Sequence, residues 1–100
     1  MADATNSGYE YKRIIGTAAG TTVVKSVPSV LKNVFFSQSK TGTADFFDTN
    51  LATGTALSNQ LFLPIPNVIG TPNMYEFNYT LKNGLTVVVG GTVDFTISTL

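Results

Sequence analysis

The stretch Tyr75-Glu76-Phe77-Asn78-Tyr79-Thr80-Leu81-Lys82 alternates without exception between an apolar or aromatic side chain and a polar one. Successive side chains of an extended strand point to opposite faces, so these residues predict a strand with one face in a core and the other in water. The pattern returns further along, where Val93, Phe95 and Ile97 alternate with Asp94, Thr96 and Ser98. Between the two lies Lys82-Asn83-Gly84. A two-residue turn at Asn83-Gly84 would set Leu81 opposite Thr86 and Tyr79 opposite Val88, turning Val87 and Val89 to the polar face. A three-residue loop with Gly84 left-handed pairs Leu81 with Leu85, Tyr79 with Val87 and Phe77 with Val89. It keeps every apolar partner on one side, and it is the predicted hairpin.

Earlier segments follow the same grammar less regularly. Strands are expected over 9–15, 21–26, 30–37, 43–48 and 55–63, with turns at 39–42 and 49–54. Pro64 and Pro66 then open a loop through Asn67, Gly70, Pro72 and Asn73. Val27, Val30, Leu31, Val34 and Phe35 also fit helical spacing after Pro28, but the β-branched and aromatic run Val34 to Phe36 favours a strand. Six of the nine glycines precede a threonine. Gly accepts the positive φ of a tight turn and Thr resumes an extended chain, so each pair marks a turn handing over to a strand. The fold class is therefore all-β: a small antiparallel β-sandwich of about seven to eight strands, jelly-roll or immunoglobulin-like. Residues 1–8 are small and polar and are expected to form a flexible N-terminal tail, with 9–100 a single sandwich domain.

Length and composition agree with this. One hundred residues with 43% hydrophobic side chains fill one small core, and the absence of cysteine excludes a disulfide scaffold. Charged residues are only 12% of the chain, so 15 Thr, 8 Asn and 7 Ser must cover most of the exterior. Six basic against six acidic residues give zero formal charge, which supplies no attraction for nucleic acid or an anionic membrane. The longest unbroken apolar run is three residues, too short for a membrane helix or a signal-peptide core.

Chemistry has few footholds. Without His or Cys the commonest general base, the thiolate nucleophile and the soft metal ligands are missing, and no phosphate-binding glycine string occurs. The carboxylates near predicted order, and so available for acid–base work, are Glu10, Asp45, Asp48, Glu76 and Asp94, of which Glu76 and Asp94 fall on the wet faces of regular strands. Asp45, Asp48 and Asn50 could offer oxygen to calcium but match no EF-hand spacing. Asp48 and Asn50 are instead expected to hydrogen-bond their own backbone within the 49–54 turn. Asn78-Tyr79-Thr80 fits the glycosylation triplet, but no secretion signal accompanies it. Lys12-Arg13 reads as a solvated edge. No catalytic, cofactor-binding or metal-binding residue is assigned, and the chain is expected not to be an enzyme.

Several strings then fall in a familiar order: Val27-Pro28-Ser29-Val30-Leu31, Phe47-Asp48-Thr49-Asn50 leading to Thr53-Gly54-Thr55, Tyr75-Glu76-Phe77-Asn78-Tyr79, Lys82-Asn83-Gly84-Leu85-Thr86-Val87-Val88, and Asp94-Phe95-Thr96-Ile97-Ser98. From Gly16 to Ser98 the chain resembles small virion proteins of tailed bacteriophages of the capsid decoration (cement) type. It departs from them with Ser29 where glycine is usual and Phe47 where tyrosine is usual. The resemblance implies a structural virion protein on the outer capsid surface, made in the host bacterial cytoplasm. Its implied partners are copies of itself, as a trimer before a dimer, and the phage major capsid protein, with no cofactor. Phe35, Phe46, Leu63, Ile65, Val68 and Ile69 exceed what one thin sandwich requires: ordinary core or scattered exposed positions are the first reading of each, and contacts between protomers the second. The alternative is a tail, neck or fibre component that binds carbohydrate or a receptor, with Tyr9, Tyr11 and Tyr75 as aromatic platforms. A small hydrolase using Asp45 and Asp48 is a third reading.

Overall fold

The computed structural model describes residues 9–16, 18–36, 40–67 and 73–100, so the expected tail over 1–8 lies outside them, as do Val68 and Ile69. Eight strands follow in order: β1 (Glu10–Gly16), β2 (Gly20–Lys25), β3 (Ser29–Phe36), β4 (Thr43–Phe47), β5 (Ile65–Pro66), β6 (Asn73–Leu81), β7 (Leu85–Gly90) and β8 (Val93–Thr99). They form two four-stranded sheets, β1-β8-β3-β6 and β2-β7-β4-β5, here called the first and second sheet. The antiparallel pairs nest, β1 with β8, β2 with β7, β3 with β6 and β4 with β5. A long hairpin folded over on itself in this way is a jelly roll, which resolves the choice between the two expected topologies.

Alternation puts the apolar side chains between the sheets. Ile14, Leu31, Val34, Phe36, Phe95 and Ile97 line the first sheet's inner face, and Ala44, Phe46, Leu85, Val87 and Val89 answer from the second. The residues over 27–35 that also fit helical spacing lie in or beside β3, a strand.

The predicted hairpin between β6 and β7 is not formed. Leu81 and Leu85 are both buried, and Leu85, Val87 and Val89 do share the core face, but β6 pairs with β3 while β7 pairs with β2 and β4. Lys82-Asn83-Gly84 is an arch from one sheet to the other, and the apolar residues meet across the sandwich. The Asp48 carboxylate holds the arch, accepting the backbone N–H of Lys82 at 3.0 Å and of Asn83 at 2.9 Å. Gly84 has φ +154°, outside the left-handed well expected for it, and a Cβ there would lie 2.3 Å from the Lys25 carbonyl oxygen. Close approach, more than turn type, requires this glycine. Every consecutive connection except β4 to β5 changes sheet, so local alternation identifies faces without identifying neighbours.

The strand expected over 55–63 is also absent. Leu57–Asn59 makes a single 3-10 turn, closed by Gln60 N–H to the Leu57 carbonyl, and only Gln60 bridges to β4, at Phe47. Leu57 and Leu63 are each 80% exposed, which a half-buried strand would not allow. Pairing resumes at Ile65–Pro66, in what reads from sequence as the start of a loop. Proline lacks the ladder donor and is tolerated there because β5 is an edge strand.

Candidate functional site

Register places the outward side chains of the first sheet in rows. Tyr11 lies opposite Ser98, which faces Asn33 and then Glu76. Arg13 lies opposite Thr96, which faces Phe35 and then Met74. Ile15 stands beside Asp94. Tyr11 is 66% exposed, Ile15 62%, Met74 50% and Tyr9 40%, and Phe35 is half-buried. Aromatic and aliphatic side chains from three of the four strands share this face with the exposed Arg13 and Glu76 and with Asp94. The matching face of the second sheet carries Thr21, Val23, Val88 and Asp45, apart from Phe47 and Thr86, which lie buried.

Asp94 does not lie in water as its alternation suggests, being 1% exposed. Arg13 covers it with two parallel hydrogen bonds, Nε to Oδ1 at 3.0 Å and Nη2 to Oδ2 at 2.9 Å. Buried Asn67 accepts the Asp94 backbone N–H at 2.9 Å. The hydrogen bonds from Arg13 hold the Asp94 carboxyl below the ordinary carboxylate value, against the opposite pull of burial. Arg13 is thus half of a bidentate ion pair across neighbouring strands, and with its side chain 56% exposed it lies, like Lys12, on a solvated edge strand.

The other carboxylates are spread over the fold. Asp45 accepts Gln60 Nε2 at 2.9 Å, Asp48 holds the 82–84 arch, and Glu10 pairs with Lys25 at 2.6 Å. The expectation for Asp48 is therefore corrected: its partners lie 34 and 35 residues away rather than in its own turn. In that turn it is Thr49 Oγ1 that accepts the Leu51 N–H, at 3.2 Å. Among the described residues no three of His, Cys, Asp and Glu gather where they could hold a metal. Asn78 is exposed on β6 with φ +81°, at a bulge where the register slips between Leu31 and Asn33 of β3.

A hollow of about 200 Å³ opens between the sheets where β1 and β2 meet, lined by Glu10, Tyr11, Lys12, Val24, Lys25 and Thr99. The Glu10–Lys25 ion pair spans it from one sheet to the other. On the opposite flank the sandwich is closed by aromatic rings. Phe36, Tyr75, Phe77, Phe62, Phe46 and Phe95 form a closed circuit with centroids 4.8 to 6.5 Å apart. Phe62, from the loop between β4 and β5, carries the circuit from one sheet to the other.

The apolar residues in excess of one sandwich therefore divide. Phe46 and Ile65 are core, Leu63 is exposed on the loop, and Phe35 belongs to the outward face of the first sheet. Of the three tyrosines proposed as platforms, Tyr75 belongs to the circuit, while Tyr9 and Tyr11 meet edge to face at 89°. Ile15 and Met74 escaped sequence reading because Ile14-Ile15 hides which isoleucine faces the core and Met74 precedes the regular octet. Comparison of the chain with known protein families, with curated proteins and with solved structures finds no match.

Proposed function

We propose that this chain is a structural virion protein, a capsid decoration protein that seats as a symmetric oligomer on the outer shell of a tailed phage and stabilises it. The observation that carries the reading is the outward face of the first sheet, where Tyr9, Tyr11, Ile15, Phe35 and Met74 present apolar surface beside the exposed charges of Arg13 and Glu76. Aromatic and methionine side chains are enriched at protein contacts, and the Thr, Ser and Asn around them lose less rotamer entropy when covered than Lys or Glu would. The collinear strings that resemble cement proteins support it from the sequence. The jelly roll is compatible with it and with lectins and cupins, so the fold lends no preference of its own.

Co-sedimentation with capsid shells of the phage that encodes the chain is the test. Retention at a fixed copy number per shell is expected, with Tyr11→Asp and Ile15→Asp each reducing it at least tenfold. A folded protein that ignores shells and shell fragments overturns the reading.

A further inference from the structure

The two sheets have four edge strands, and three of them carry features that hinder the addition of another strand. β6 is bulged, with Asn78 at positive φ. β2 is bulged between Val23 and Lys25. β5 is two residues long and contains Pro66. The fourth, β1, differs: its seven residues pair with β8 in unbroken register from Glu10–Thr99 to Gly16–Val93. It is the long, regular edge of the described fold, and its outer backbone groups face away from β8.

The side chains of β1 indicate what fits there. Glu10-Tyr11-Lys12 is complementary to itself when run antiparallel: a two-fold axis through Tyr11 sets Glu10 of each copy opposite Lys12 of the other. The same register brings Tyr9 opposite Arg13. The two neighbouring registers that keep the inner faces aligned set Glu10 against Glu10 or Lys12 against Lys12, so charge favours the first. Lys12 has no ion-pair partner among the described residues and Arg13 is already drawn onto Asp94, while Glu10 pairs with Lys25 of its own chain through Oε1 and keeps a side chain 68% exposed. Strand addition between copies needs two open edges, and a single open edge restricts it to an isologous, two-fold contact.

We propose that β1 is a self-association edge: a second copy adds its β1 antiparallel about a two-fold axis at Tyr11, joining two first sheets into one continuous eight-stranded sheet. This goes beyond the virion reading and does not depend on it. It also makes the unit two-fold rather than the trimer implied by resemblance.

The chain has no cysteine, which makes cross-linking clean. Directly opposed residues of an antiparallel pair have Cα atoms about 4.5–5.5 Å apart, within the span of a disulfide. Under mild oxidation Tyr11→Cys is expected to link quantitatively into dimers while Ile15→Cys, far from the axis, stays unlinked. In sedimentation equilibrium the native chain should behave as two chains, and Glu10→Lys and Lys12→Glu should each raise the dimer Kd about tenfold or more. Mixing those two variants restores pairing, since every opposed charge is then complementary. A native chain that stays single at its highest soluble concentration overturns the proposal. So does an oligomer in which Tyr11→Cys does not link, or a charge-variant mixture no tighter than its parts. A linked dimer that ignores capsid shells overturns the virion reading and leaves the edge intact; a shell-bound trimer does the reverse.

Discussion

The first sheet ends differently on its two sides. Along β6 the strand is bulged at Asn78, and the sandwich beside it is filled by Phe62, stacked on Phe77 at 4.8 Å. Along β1 the register is unbroken, and the strand is tied down by the Arg13–Asp94 pair on its outer face and the Glu10–Lys25 pair across the hollow. Apolar stacking closes one edge and charge holds the other open. A strand secured by paired charges keeps its outer backbone groups free for another chain, whereas a bulged strand does not.

The largest way to break this contrast is on the closed side. Phe62→Ala removes the ring that links Phe46 of β4 to Phe77 of β6 and is expected to cost about 2–4 kcal/mol in urea unfolding, with association through β1 unchanged. On the open side, Asp94→Asn replaces a buried carboxylate by an amide facing Arg13, for an expected loss of about 1–3 kcal/mol. The pH dependence has a definite sign. Because the folded carboxyl is held below its ordinary 3.8, its contribution is complete above that value and is lost as pH falls through the lowered one. Melting temperature should therefore fall with acidification less steeply for Asp94→Asn than for the native chain.

Asp48→Ala leaves the N–H groups of Lys82 and Asn83 without their acceptor and is expected to cost about 1–2 kcal/mol by thermal unfolding. It loosens the arch that keeps β6 and β7 in separate sheets. The smallest effect is at the bulge. Asn78→Val places a β-branched side chain at φ +81°, with an expected loss of about 1 kcal/mol, whereas Asn78→Gly should be close to neutral.

The sequence reveals faces better than partners. Tyr75 to Leu81 and Val93 to Ile97 alternate cleanly, and their apolar members reach the core or pack against it, except Tyr79, which is 41% exposed. What failed is adjacency: Leu81 and Leu85 are four residues apart yet belong to different sheets, because a carboxylate 34 residues upstream of Lys82 holds the arch. Such a contact leaves no local pattern. Leu57 and Leu63 misled for the reverse reason, being strand-like residues in a loop whose only ladder contact is Gln60. In the candidate surface, Tyr9 and Tyr11 were legible as exposed aromatics, but Asp94 read as solvated. Its burial depends on Arg13 from the opposite end of the chain, 81 residues away.

Amide hydrogen exchange along the two edges of the first sheet, measured at low and at high protein concentration, tests the contrast most directly. Protection over 10–13 of β1 that rises with concentration while β6 stays constant is the expected result. Exchange in β1 that is independent of concentration, or protection that rises along β6 instead, would contradict it.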